Sequence, residues 1–138
     1  MYEFLVALNN DNNSSIVDLT SNKIKKIKND VLQNLQIKGE ELKNLHKRLK
    51  DYRYCSDLKD LQDGFFIRWI SLKNPNNLYL TNGGIVCDVK ITNGLLYVLC
   101  KNVYNRFFQF KFDEVIIFQK LSNQEKIILG ILDYLENT

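Results

Sequence analysis

The sequence predicts an α+β fold: an N-terminal helical arm, a five-stranded antiparallel SH3-like or Tudor-like small barrel, and a C-terminal helix. Three observations predict it. Apolar residues between Ile24 and Tyr52 step by three and four, which is the spacing of a helix face. From Phe65 to Lys120 the chain breaks into short strand-like runs, several alternating with period two, separated by turn residues. A capping box, Ser122-Asn123-Gln124-Glu125, then opens a third apolar face.

A length of 138 residues suits one domain, or one small domain with a helical attachment. We expect residues 1–53 to form an N-terminal segment and basic helical arm, and residues 54–138 to form the barrel with its C-terminal helix. Apolar residues are 45% and charged residues 25%, a globular composition that excludes wholesale disorder.

The elements follow in order. Residues 1–8 alternate weakly and suit a short edge strand, and Asn9 to Ser15 is a polar loop. Thr20 or Ser21 can cap a helix. Ile24, Ile27, Val31 and Leu35 form one stripe, and Leu42, Leu45, Leu49 and Tyr52 form another. Gly39 lies between them, so we expect two helices, over about 21–36 and 39–53, with one bent helix as the alternative. Cys55 to Gly64 reads as a polar connector.

Strands are expected at Phe65 to Leu72, at a segment from Leu78 through Ile91, at Leu95 to Lys101, at Phe107 to Phe112 and at Val115 to Lys120, with an OB-like barrel or an open meander as alternatives to the SH3-like or Tudor-like barrel. Ile85, Cys87, Val89 and Ile91 share one face by alternation. Gly83-Gly84 suits a bend or bulge, and Asn93-Gly94 is a hairpin turn. A helix over about 123–136 buries Ile127, Ile128, Ile131, Leu132 and Leu135, most simply against the sheet.

Chemistry is scarce. The sole histidine is His46, and Cys55, Cys87 and Cys100 show no metal-ligand spacing. No GxSxG, HExxH, P-loop or EF-hand pattern occurs. We expect no catalytic residue, no metal and no cofactor. The odd thiol count suits a reducing compartment better than a disulfide framework. No run approaches the roughly 18 apolar residues of a membrane span, so no membrane partner is expected.

Charge is uneven. Residues 23–53 carry ten Lys/Arg against four acids, for +6, and residues 65–121 sum to +4, while the whole chain is only +3. Two groups of residues are candidate binding surfaces. Lys43, Lys47, Arg48, Lys50 and Arg53 could contact nucleic-acid phosphates; the plainer reading is a solvated helix face. Trp69, Tyr104, Arg106 and Phe107 could form an exposed edge that docks a partner; the plainer reading is core filling.

The strings LHKRLKDYRY, GFFIRWISL, LTNGGIVCDVKI, VLCKN and RFFQFKFDEVIIFQKL resemble small proteins of the nucleocytoplasmic large DNA viruses, over about Leu42 to Leu135. Seventeen asparagines beside many Lys and Ile are compatible with an A/T-rich genome. The resemblance implies a location in the virus factory of the host cytoplasm, or in the virion, and carries over no activity. We therefore expect a non-enzymatic interaction module that docks a viral or host protein. The alternative is a nucleic-acid-binding accessory factor in viral transcription or genome packaging.

Overall fold

A computed structural model gives the fold and describes residue 16 and residues 19–137. The expected strand over residues 1–8 and the loop from Asn9 to Ser15 lie outside the described residues. The described chain is α+β, with three helices and one six-stranded sheet. It divides into two compact units. One holds the described residues up to Arg53 together with those from Leu121 onward; the other is Tyr54–Lys120.

In the helical unit, α1 (Ser21–Asn34) starts where the Thr20 hydroxyl accepts from the Lys23 amide at 3.2 Å. The second helix, α2, spans Glu40–Arg48. Gln36 and Gly39 both take positive φ, 67° and 70°, so the chain leaves the helical conformation between them. These are two helices, and the bent-helix alternative is set aside.

The buried line of α1 is Ile24, Lys28 and Leu32, whereas Ile27 is 39% exposed. A steady step of four thus replaces the expected stripe of Ile24, Ile27, Val31 and Leu35. A lysine can hold such a position because its methylene stem covers apolar surface while its ammonium finds a partner. That partner is the Leu49 carbonyl, which accepts from Lys28 Nζ at 2.7 Å.

The C-terminal helix α3 (Asn123–Glu136) forms the expected capping box. Glu125 N–H donates to Ser122 Oγ at 3.1 Å, and Ser122 N–H donates to Glu125 Oε1 at 2.9 Å. Its buried Ile128 and Leu129 cluster with Ile16 and Ile24. The face expected to lie on the sheet therefore has its core partners within the helical unit. Asp133 accepts from the Ser21 amide and hydroxyl at 2.8 and 2.6 Å, which puts a carboxylate at the start of α1, where negative charge is favoured.

The sheet comprises β1 (Tyr52–Cys55), β2 (Phe66–Ser71), β3 (Gly84–Thr92), β4 (Leu95–Lys101), β5 (Phe107–Lys111) and β6 (Val115–Lys120). Their order is β1-β6-β2-β3-β4-β5, so among the described residues β1 and β5 are edges and the sheet is open. The sequence predicts five strands closing into a small barrel, with an open meander as one alternative; six strands form, and the order is open. The extra strand is β1, where the sequence predicts a helix end at Tyr52 and a connector from Cys55. Four residues are too few to establish a period, and Cys55 is buried only through the pairing of distant strands.

Asn93 and Gly94, with φ of 53° and 78°, make the tight turn that joins β3 to β4. The register shifts between Val86 and Asp88, where Cys87 is the extra residue of a bulge. Before the bulge Val86 is buried opposite Cys100, while Ile85 and Cys87 are exposed. After it Val89 pairs with the buried Val98. Ile85 and Cys87 therefore do not share a face with Val89 and Ile91, because one added residue inverts the parity of a period-two pattern.

The core of this unit gathers Cys55, Ile67, Trp69, Val86, Val98, Cys100, Val115 and Ile117. Phe110 and Phe112 pack against it. Gln119, fully buried, accepts from the Gln62 amide at 3.0 Å and donates to the Asp60 carbonyl at 3.1 Å. It pins the connector onto the sheet. Gly83 admits no side chain: its φ is 88°, and an added Cβ would collide with the Ile67 carbonyl oxygen.

Candidate functional site

The sheet unit carries an open groove of about 420 Å³. Its aromatic walls are Trp69, Tyr79, Tyr104 and Phe108, with Val103 beside them. Strand β2 supplies Trp69, edge strand β5 supplies Phe108, and the β4–β5 turn supplies Val103 and Tyr104. Asn102 holds that turn. Its Oδ1 accepts from the Tyr104 and Arg106 amides at 2.9 and 3.0 Å, and its own N–H donates to the Arg106 carbonyl at 2.9 Å.

Trp69 is only 9% exposed and its ring centroid lies 4.7 Å from that of Phe110, so it forms the floor and not an exposed edge. Above it Val103 and Tyr104 are 75% and 80% exposed. Thr81, Asn82 and Asn102 are the polar side chains of the lining, and among the described residues no charged side chain lines the groove. Such a surface favours apolar or aromatic groups.

The four residues expected to form a docking edge are thus divided. Trp69 and Tyr104 share the groove. Phe107 pairs with Lys101 across β4 and β5, and its ring lies 5.8 Å from the Lys101 ammonium. Strand alternation puts it on the face opposite Phe108. Arg106 is exposed at the end of the turn and does not line the groove. Sequence reasoning missed Tyr79, Val103 and Phe108. Val103 offered a signal, as a lone apolar residue within a polar turn.

The five expected phosphate contacts are also divided. Lys43, Lys47, Arg48 and Lys50 are exposed, and Lys43 pairs with Glu40 at 3.6 Å. Arg53 is corrected: it is buried, with its Nε 3.7 Å from Glu125 Oε2, and cannot reach a phosphate on the surface. Lys50 joins Lys25, Lys26, Lys28, Asn29 and His46 around a second pocket of about 450 Å³. His46 Nε2 lies 2.9 Å from Asn29 Oδ1. Burial, then Lys28 and Lys25, hold the His46 pKa below its usual 6.5. Burial and Lys25 lower that of Lys28 from 10.5, against a smaller opposing effect of Asp51.

Among the described residues, no group of three or more His, Cys, Asp or Glu could hold a metal, and no helix is long and apolar enough to cross a membrane. All three cysteines are free; Cys55 and Cys100 are buried and Cys87 is exposed. No protein-family model, curated protein or solved structure matches the chain.

Proposed function

We propose that this protein is a non-enzymatic interaction module that docks an extended segment of a partner protein along β5, with an apolar side chain in the aromatic groove. The observation that carries the reading is the pairing of a buried Trp69 floor with Val103 and Tyr104 exposed above it. Edge strand β5 borders the same groove through Phe108, and among the described residues no strand pairs with its outer side. An edge supplies main-chain hydrogen bonds and an adjoining pocket supplies specificity, which is the logic of strand addition. Docking on exposed aromatics is also how SH3-like modules hold peptides. The resemblance to giant-virus proteins supports a setting in the virus factory or virion.

Selection from a random peptide library tests the reading. Peptides carrying apolar or aromatic residues at alternate positions are expected. Val103→Asp and Tyr104→Ala should each weaken their binding about tenfold or more. Failure to select any peptide, or binding indifferent to both substitutions, overturns it.

A second reading, nucleic-acid binding, is favoured by the exposed Lys47, Arg48 and Lys50 at the end of α2. It predicts salt-sensitive binding to duplex or single-stranded DNA or RNA that is lost when these three become Glu. No binding even at low salt removes it.

A further inference from the structure

We propose that Lys25, Lys28, Asn29, His46 and Lys50 form a pocket for a discrete phosphate group. The inference concerns the helical unit alone and stands independently of the docking reading.

Every ionisable side chain lining the pocket is basic, and no carboxylate lines it. At the rim, Lys26 is occupied by Asp30 at 3.5 Å. Lys25 and Lys50 have no ion pair among the described residues. Lys28 is 3% exposed, and its bond to the Leu49 carbonyl uses one of the three donors of an ammonium. Asn29 Oδ1 only accepts, so His46 donates from Nε2, and the neutral ring keeps its lone pair on Nδ1.

These cations repel one another. Lys25 acts unfavourably on charged Lys28, and both act unfavourably on charged His46. Asp51 offsets part of this at Lys28, but it is itself 3.7 Å from Lys126. A phosphate dianion among them would relieve the repulsion and accept several charge-assisted hydrogen bonds. The buried Lys28, set among a few basic side chains and not along an extended groove, suits a terminal phosphate better than the continuous backbone of a polymer.

His46 is the chain's sole histidine, so its ring proton gives a single resolved reporter in an NMR pH titration. Without ligand its midpoint should fall below 6.5. Inorganic phosphate, compared with chloride at equal ionic strength, should raise that midpoint by about half a unit or more, because an anion favours the imidazolium. Lys25→Ala with Lys50→Ala should abolish the rise while leaving the backbone spectrum folded, since both side chains are exposed.

An oligonucleotide with a 5′-phosphate and its 5′-hydroxyl twin form the second arm. Only the phosphorylated strand should shift His46. Equal shifts by both would make the ligand a nucleic-acid backbone and overturn the discrete-phosphate proposal. A midpoint that phosphate leaves unmoved, or moves equally in the double variant, also overturns it.

Discussion

Arg53 Nε and Glu125 Oε2 lie 3.7 Å apart with their side chains 4% and 0% exposed. The same glutamate closes the N-terminus of α3 through its other oxygen. One carboxylate therefore serves both a helix cap and a buried guanidinium.

Glu125→Gln separates these two roles, because its amide oxygen can still accept from the Ser122 amide. The loss of negative charge beside a buried arginine should cost about 3 kcal/mol of stability. Arg53→Met with Glu125→Gln should be less costly than the two single changes added together. Urea unfolding of the four proteins measures this coupling, and additive costs would refute it.

Lys28→Met should leave stability at pH 7 unchanged or raise it by about 1 kcal/mol, because it removes a buried charge and keeps the stem. The Leu49 carbonyl retains the Tyr52 amide at 3.0 Å. Folding lowers the pKa of Lys28 from 10.5, so the unfolded chain binds the extra proton just below that pH. The burial penalty is full below the folded pKa and vanishes above 10.5. Any advantage of Lys28→Met should therefore shrink as pH rises towards 10.5, as paired denaturation curves at several pH values would register.

Thiol labelling should separate the cysteines. Cys87 is exposed on the β3 bulge, whereas Cys55 and Cys100 are buried and burial pushes Cys100 up to about 11. An aromatic disulfide reagent at pH 8 should modify one thiol rapidly in the folded protein and all three in denaturant. Rapid loss of two or more thiols from the folded state would contradict the burial.

Two glycines should respond oppositely to alanine. Gly83→Ala forces a side chain into positive φ and against the Ile67 carbonyl, at a cost above about 2 kcal/mol. Gly130 lies within α3 with nothing within 4 Å of an added Cβ, so Gly130→Ala should stabilise by about 0.5–1 kcal/mol. Thermal unfolding of each variant checks both signs.

The amino-acid sequence by itself determined what depends on neighbours along the chain. The α3 helix and its Ser122–Glu125 cap, the Asn93-Gly94 turn and the bend at Gly83 needed only local spacing and local φ. It also set the largest excess of basic charge in residues 23–53, with a smaller one in residues 65–121, and it carries none of the common catalytic motifs. Tertiary structure decided which side of each element faces inward. The bulge at Cys87 reversed the expected face of β3, and packing turned α1 until Lys28 lay inward. It also divided the expected binding residues, sending Arg53 to Glu125 and Trp69 to a groove floor, while bringing Lys25, Lys28 and His46 to one pocket. Periodicity fixes which residues share a face, but what that face meets depends on contacts between residues distant in sequence, and burial and charge pairing follow from those contacts.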